Sequence, residues 1–172
     1  TYGGLGNDTI YANLGKDFED GGEGVDTYII DADMDYIPVI DLVNETAYLQ
    51  GTNPYFDNGV SNFENVTMLG TTDVEIIGDD GDNILTGGSG NDILRTGAGN
   101  DQLFGGLGDD ILVLSGSGAS ILDGGEGIDL FELDTSFVST LNENYPNSIE
   151  INLKSGLVGQ TNNPNLRDKI VS

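Results

Sequence analysis

The 172-residue chain has no cysteine and no histidine, and only five of its residues are lysine or arginine. Without histidine or cysteine it cannot form a zinc finger, a haem ligand, a thiol nucleophile or a serine–histidine triad. The formal net charge of −25 excludes the basic surface that nucleic acids and anionic membranes require. No apolar run approaches the roughly 18 residues of a membrane span, so we expect no transmembrane helix.

Glycine is abundant, with 27 residues, and the acidic side chains number 30. Excess glycine and charge are typical of disorder, but Leu, Ile, Val and Phe still make up about 28% of the chain. That share lies above the roughly 20% below which a chain is expected to stay disordered. The composition therefore predicts a chain that can fold once its acidic charge is neutralised.

A nine-residue phrase, Gly-Gly-x-Gly-x-Asp-x-U-x with U a large apolar residue, repeats along the chain. Unbroken copies begin at Gly3, Gly21, Gly87, Gly105 and Gly124. The units that begin at Gly78 and Thr96 keep the phase, with Asn83 and Asp101 at the acidic place. The apolar place recurs every nine residues as Leu85, Leu94, Leu103 and Leu112, which we expect to line an interior.

Two units depart from the phrase. The copy at 12–20 keeps only Gly15 and Asp17, and no motif-bearing unit follows Asp17 at a distance of 18 residues. The unit at 114–123 has ten residues, and we place Ala119 where the acid belongs, which predicts a turn that is metal-free or incomplete.

The glycines allow tight turns with positive φ, and the last three residues of each unit suffice for a short strand. Turn, strand, turn and strand use 18 residues, so units 18 apart should stack at the strand spacing of about 4.8 Å. This predicts that Asp8 lies over Asp26, Asn83 over Asp101, and Asp92 over Asp110. Asp110 and Asp129 are 19 apart, so they stack only if the ten-residue unit contains a bulge.

These phrases resemble the RTX family of glycine- and aspartate-rich calcium-binding repeats. The resemblance implies an all-β fold, a right-handed parallel β-roll (β-helix) with glycine-rich calcium-binding turns, joined and capped by β segments. In that family the ligands are the aspartate and the carbonyl groups of the second and fourth residues of the phrase. The matching positions, together with Asn83, are Gly4, Gly6, Asp8, Gly22, Gly24, Asp26, Gly88, Gly90, Asp92, Gly97, Gly99, Asp101, Gly106, Gly108, Asp110, Gly125, Gly127 and Asp129.

Calcium suits this inventory on physical grounds as well. Stacked carboxylates repel one another unless a cation lies between them, and calcium accepts six to eight oxygen ligands. Magnesium requires a tighter octahedron and keeps its waters, so we expect several calcium ions. One alternative is that the phrases are solvated turns without metal. Asp31, Asp33 and Asp35 suggest an EF-hand loop, but Tyr36 occupies its glycine place and Leu42 its glutamate place, which favours a solvated strand edge.

We divide the chain into repeat block 1 (1–30), a β cap or connector (31–77), repeat block 2 (78–132) and a second β cap or connector (133–172). The exits of the two blocks are alike, since Gly21–Asp31 parallels Gly124–Asp134 at an offset of 103 residues. The connectors alternate apolar and polar residues, which predicts short strands, with Tyr28, Tyr36, Phe63 and Phe131 in the core. The chain starts inside a repeat, so we expect it to be a fragment with parts of two tandem modules.

We therefore expect a non-catalytic, calcium-binding structural region of a large secreted or surface-exposed bacterial protein. Its metal-free chain should be largely disordered, and calcium should drive folding after type I secretion, as the resemblance implies. Alternatives are the repeat region of a secreted enzyme or toxin, or a tandem spacer module of an adhesin or surface-layer protein. Acid–base chemistry at Asp79 and Asp80, and a sugar site at Tyr48, Tyr55 and Phe56, are less favoured. Neighbouring modules of the same chain are possible partners.

Overall fold

The computed structural model describes residues 1–12, 16–31, 36–50, 57–134 and 150–152. These residues form strands and no helix, so none of them belongs to a helix long and apolar enough to span a membrane. The strands make two sheets. In chain order they are β1 (Tyr2–Leu5), β2 (Thr9–Tyr11), β3 (Phe18–Glu23), β4 (Thr27–Ile30), β5 (Pro38–Asp41), β6 (Thr46–Leu49), β7 (Asp57–Ser61), β8 (Asn65–Met68), β9 (Glu75–Ile77), β10 (Ile84–Gly88), β11 (Ile93–Arg95), β12 (Gln102–Leu107), β13 (Ile111–Leu114), β14 (Ile121–Glu126), β15 (Leu130–Leu133) and β16 (Glu150–Asn152).

Among the described residues, the large sheet has nine strands in the order β1-β3-β7-β6-β5-β9-β11-β13-β15. The small sheet has seven, in the order β16-β14-β12-β10-β8-β4-β2. Along each repeat block the chain alternates between the two sheets, so neighbouring strands in a sheet are parallel and one full coil apart. This arrangement is a parallel β-solenoid, and the prediction of an all-β parallel roll is confirmed.

The register in the repeat blocks follows the 18-residue coil. Thr9 pairs with Thr27, Ile84 with Gln102, and Ile93 with Ile111, each 18 residues apart. The leucines at the apolar place point inward from both sheets, and Leu85, Leu94, Leu103 and Leu112 are all 0% exposed. The predicted stacking and the predicted leucine ladder are therefore both confirmed.

The extra residue of the ten-residue unit is absorbed where β13 ends. Arg95 still pairs with Val113 at an offset of 18, whereas Gln102 pairs with Ile121 at an offset of 19. Between these pairs the Thr96 hydroxyl donates to the Ser115 carbonyl over 2.7 Å and accepts from the Ser115 amide over 2.9 Å. The predicted bulge is confirmed, and beyond it Ile111 pairs with Leu130 at the longer offset.

An excursion in the large sheet lies between the two repeat blocks. β5 and β6 are antiparallel, β6 and β7 are antiparallel, and β7 returns to pair in parallel with β3. The small sheet bridges the same interval with one strand, β8, which pairs in parallel with both β4 and β10. Hydrogen-bonded sheet therefore runs from the first repeat block into the second on both sides of the solenoid.

The interior is apolar along most of its length and polar at one place. Tyr28 and Phe63 are buried with ring centroids 5.2 Å apart, and Phe131 packs against the core, as predicted. Tyr36 is 49% exposed, which contradicts its prediction as a core residue, because it precedes β5 and Ile40 provides the inward side chain there. The Glu19 side chain is fully buried in the same interior.

The two similar block exits lie on opposite sheets. β3 and β4 belong to the large and the small sheet, whereas their sequence counterparts β14 and β15 belong to the small and the large sheet. The chain therefore changes sheets an odd number of times between them. The second block exit is therefore displaced by half a coil relative to the first, so that each of its strands lies in the opposite sheet.

The leucine ladder makes a direct stability prediction. Leu94→Ala should lower the free energy of unfolding by about 2–5 kcal/mol, because it empties a fully buried place between two sheets. Leu107→Ala is the matched control, since Leu107 is 50% exposed, and its effect should stay within about 0.5 kcal/mol. Denaturant unfolding in excess calcium measures both, and equal effects would contradict the placement of Leu94.

Candidate metal centre

The residues at the acidic place form two files, one at the entrance of each sheet. The small-sheet file precedes β2, β4, β8, β10, β12 and β14, and it consists of Asp8, Asp26, Glu64, Asn83, Asp101 and Ser120. The large-sheet file precedes β9, β11, β13 and β15, and it consists of Val74, Asp92, Asp110 and Asp129. Asp17, at the acidic place of the copy at 12–20, precedes β3 of the same sheet but lies apart from this file, and its amide donates to Asn58 Oδ1 over 3.0 Å. Each file therefore brings together side chains that are far apart in sequence.

Each motif aspartate except Asp8 uses one carboxylate oxygen to accept a hydrogen bond from a backbone amide of the neighbouring coil. Asp26 Oδ1 accepts from the Asp8 amide over 2.6 Å, and Asp101 Oδ1 accepts from the Asn83 amide over 3.0 Å. In the large-sheet file, Asp110 Oδ1 accepts from the Asp92 amide over 2.8 Å. Val74 and Asp110 donate their amides in the same way to the aspartates that follow them, Asp92 and Asp129. The carboxylates thus stack in register at the spacing of the strands.

The other oxygen is buried without a partner in four of these aspartates. These atoms are the Oδ2 atoms of Asp8, Asp26, Asp92 and Asp110. A buried carboxylate oxygen without a hydrogen bond is costly, and a cation is the partner that satisfies it without a proton. The residues predicted from the sequence to bind calcium therefore include four buried carboxylate oxygens that a cation would satisfy.

Burial also shifts the protonation of these groups. Burial raises the pKa of Asp92 to about 7, with a further rise from the charges of Asp110 and Asp73 and an opposing effect from the Val74 amide. Burial raises the pKa of Asp110 to about 6, and the pKa of Asp101 is also raised, chiefly by burial. Without metal, these aspartates bind protons more tightly in the folded chain than in the unfolded chain. Their ionisation therefore destabilises the fold.

The first glycine of the phrase makes room for the carboxylate. A Cβ atom at Gly105 would collide with Asp110 Oδ2 and with the carbonyl oxygen of Gly124, one coil further on. Gly3 stands in the same relation to Asp8 Oδ2 and the Gly21 carbonyl. The free carboxylate oxygen and a backbone carbonyl from the next coil therefore meet at the first glycine.

The second and fourth residues direct backbone carbonyls into the space between coils. A Cβ at Gly106 would meet the Gly88 carbonyl, and a Cβ at Gly108 would meet the Gly90 carbonyl. All but Gly90 of the predicted glycine ligands have φ between +94° and +156°, a region that side chains other than glycine rarely adopt. These glycines are Gly4, Gly6, Gly22, Gly24, Gly88, Gly97, Gly99, Gly106, Gly108, Gly125 and Gly127.

The small-sheet file has no carboxylate at two places, which are occupied by Asn83 and Ser120. Asn83 Oδ1 accepts from the Asp79 amide over 3.0 Å, while its Nδ2 donates to the Glu64 carbonyl over 3.0 Å. Ser120, and not Ala119, occupies the acidic place of the ten-residue unit, which corrects the sequence interpretation. Its Oγ accepts from the Asp101 amide over 3.2 Å, whereas the Ala119 amide donates to Asn100 Oδ1 over 3.1 Å. The cause is the bulge, which shifts the turn by one residue.

A second, outer ladder was not anticipated from the sequence. Residues at the fifth place of the phrase accept through Oδ1 from the amide one coil further on, as Asp73 does from Asn91 and Asn91 does from Asp109. Asn7 and Asp82 act in the same way toward Val25 and Asn100. The available signal was the frequent Asn or Asp directly before the motif aspartate. This ladder fixes the turns from outside while the acidic files fix them from inside.

The described residues contain no group of three or more carboxylates that could hold a metal by themselves. An interval between coils provides at most two, for example from Asp92 and Asp110, and backbone carbonyls must complete an oxygen shell. Two carboxylates and several carbonyls agree with the oxygen ligands that calcium uses. Asp33, Asp35, Gly15, Tyr55 and Phe56 lie outside the described residues.

These features define a parallel β-solenoid whose glycine-rich turns stack carboxylates between coils. A model of the RTX calcium-binding nonapeptide repeat matches residues 2–28 and 77–112, with four copies. Residues 2–28 and 77–112 are therefore identified as RTX calcium-binding nonapeptide repeats, which makes these parts of the chain a calcium-binding repeat region. A search of curated proteins gave no match to the chain.

The raised pKa values predict opposite pH responses with and without calcium. In chelator, folding should become more favourable as the pH falls from about 7 to about 4, since Asp92 and Asp110 take up protons more readily when folded. Calcium bound per chain at a fixed, subsaturating calcium concentration should decrease over the same range, because protons compete with the ion for the same carboxylates. Circular dichroism in chelator and equilibrium dialysis in calcium, both at pH 4, 5.5, 7 and 8, measure the two responses, and a rise of both folding and calcium binding as the pH falls would contradict the placement of these carboxylates.

The first glycine provides a steric test. Gly105→Ala should weaken calcium binding by about tenfold or more, because the new methyl group displaces the Asp110 carboxylate. Gly81→Ala is the control, since its Cβ would meet only the Asp79 Oδ1 atom, at 3.2 Å. Calorimetric titration compares the two variants, and a loss of affinity in both would show that any added methyl group is harmful.

Proposed function

We propose that this chain is a calcium-triggered structural region of a large secreted or cell-surface bacterial protein. The observation that best supports this is the row of buried aspartate oxygens without partners, at Asp8, Asp26, Asp92 and Asp110. In the absence of metal these carboxylates repel one another and resist burial, so the chain stays unfolded. Calcium binding supplies the folding free energy.

Several calcium ions bind between coils in this proposal. Their ligands are the motif aspartates and the carbonyls of the second and fourth residues, as predicted from the sequence, with Asn83 as a weaker contributor. The proposed units remain repeat blocks at 1–30 and 78–132 and connecting β segments at 31–77 and 133–172. The region itself is non-catalytic, and neighbouring modules of the same protein are its possible partners.

Calcium-triggered folding would suit a protein that is exported from the cell. Cytosolic calcium is too low to fill sites of the extracellular class, whose dissociation constants are about 10⁻⁴–10⁻³ M. The chain would then remain unfolded for passage through a type I secretion channel and fold outside the cell. Its net charge of −25 keeps the unfolded chain soluble until calcium neutralises part of it.

A second candidate is a tandem spacer in an adhesin or surface-layer protein. It is favoured by the internal repeat at an offset of 103 residues and by the continuous sheets that join the blocks. Sequences flanking this region in the complete protein separate the candidates. Further modules of the same kind indicate a spacer, whereas a catalytic motif indicates a secreted enzyme or toxin.

Calcium titration followed by far-UV circular dichroism tests the proposal. The wild-type chain should lack β structure in chelator and gain it with calcium but not with equal magnesium. Asp92→Asn should raise the calcium midpoint about tenfold or more, because it removes a buried ligand charge. Asp31→Asn is the control, since Asp31 is exposed at the end of β4, and its midpoint should not change. A β-rich spectrum in excess chelator that calcium leaves unaltered would overturn the proposal.

A further inference from the structure

The turn that joins β7 to β8 lacks the glycine phrase and lies between the two segments that match the repeat family. Three residues, Asn62, Phe63 and Glu64, lie between Ser61 and Asn65, whereas six residues, 21–26, lie between Asp20 and Thr27, the residues that pair with them in the neighbouring coil. The strand registers nevertheless agree, since Asp20 pairs with Ser61 and Thr27 pairs with Asn65. Glu64 therefore stands directly beside Asp26 in the small-sheet file.

Glu64 performs the same contact as a motif aspartate. Glu64 Oε2 accepts from the Asp26 amide over 2.7 Å, just as Asp26 Oδ1 accepts from the Asp8 amide over 2.6 Å. The glutamate side chain is one methylene longer than aspartate, which lets it reach the file from a shorter turn. Glu64 is separated from Asp26 by 38 residues instead of 18, so the nine-residue period gives no sign of this role.

The oxygens around Asp26 repeat the arrangement found inside the blocks. Asp26 is fully buried and its Oδ2 atom has no partner. A Cβ at Gly21 would meet both Asp26 Oδ2 and the Asn62 carbonyl, just as one at Gly105 would meet Asp110 Oδ2 and the Gly124 carbonyl. Asn62 has φ of 55° and its Nδ2 donates to Asp20 Oδ1 over 2.8 Å, which holds this turn in place.

We propose that Asp26 and Glu64 bind a divalent cation, calcium, between the turn at 21–26 and the turn at 62–64. This inference rests on the proposed function and extends it to a residue outside the repeat motif. The two carboxylates balance the charge of the ion, as they do in the intervals Asp8/Asp26, Asp92/Asp110 and Asp110/Asp129. On the other side of Glu64 the file continues by hydrogen bonding, because Asn83 Nδ2 donates to the Glu64 carbonyl.

The site joins the two repeat blocks. It lies where β4 of the first block pairs with β8, which in turn pairs with β10 of the second block. An ion there ties the last turn of the first block to β8, the connector strand that pairs with β10 of the second block. Calcium-driven folding then passes from one block to the other through the small sheet.

Glu64→Gln tests the assignment, because glutamine keeps the shape and can still accept from the Asp26 amide. Calcium bound at saturation is counted by equilibrium dialysis or native mass spectrometry. If the wild-type chain binds n ions, the variant should bind one fewer, and the matched Glu132→Gln, on the exposed side of β15, should bind n. Retention of n ions by a folded Glu64→Gln chain overturns this inference alone, whereas an absence of calcium binding in the wild type overturns the proposed function.

Glu64→Asp covers the case in which the glutamine variant does not fold. This variant keeps the charge on a shorter side chain, so it should bind n ions with a raised calcium midpoint in circular dichroism. A midpoint equal to that of the wild type would contradict a ligand role for Glu64. Asp26→Asn provides an internal standard, since it should reduce the count by two, through the intervals with Asp8 and with Glu64.

Discussion

Buried carboxylates stacked at the spacing of β-strands are the constraint on which this structure depends. Parallel strands one coil apart place the acidic side chains about 4.8 Å from one another, a distance at which like charges repel strongly when water is excluded. In Asp26, Asp92 and Asp110, one carboxylate oxygen accepts from a backbone amide of the neighbouring coil, and the other is buried without a partner. The first glycine of each phrase is required by the same crowding, because no side chain fits beside the free oxygen of Asp110 or Asp8. Folding is therefore favoured by any cation or proton that neutralises these carboxylates. The raised pKa values of Asp92 and Asp110 show this coupling for protons.

The solenoid tolerates irregular units because each sheet completes its backbone hydrogen bonds independently of the other sheet. The large sheet accommodates the antiparallel excursion of β5 and β6, while the small sheet crosses the same interval with β8 alone. One added residue at Leu114 and Ser115 is absorbed as a bulge against Thr96, after which the register continues at an offset of 19. In both cases backbone pairing resumes after the interruption, since the interior ladder of apolar side chains keeps the strands in phase. The connector between the blocks is thus hydrogen-bonded on both faces of the roll.

The interior of this fold is small, so the burial of apolar side chains contributes little to its stability. Strands of the second block such as β11 and β12 contribute one fully buried large side chain each, Leu94 and Leu103, and part of the first block has the polar pair Glu19 and Tyr28 at these places. At the corresponding places of the second block the chain has Leu122 and Phe131, so both polar groups are replaced together. Burial, followed by the nearby Glu19, raises the pKa of the Tyr28 hydroxyl, as expected for a phenol in this interior. Stability must therefore come in large part from the turns, where the glycines and carboxylates lie.

The repeating parts of the molecule can be predicted from the sequence alone. Strand positions, the coil length, the leucine ladder and the stacking of Asp92 on Asp110 all follow from a period of nine residues, because each unit repeats the same local geometry. Contacts between a residue and the residue beside it in the neighbouring coil follow only from the three-dimensional packing of the coils. Ser120 replaces Ala119 at the acidic place because a bulge shifts the turn, Tyr36 is exposed because β5 begins after it, and Glu64 reaches Asp26 across 38 residues. A local period cannot reveal these contacts, since they arise where turn length changes and strands pair over a long insertion.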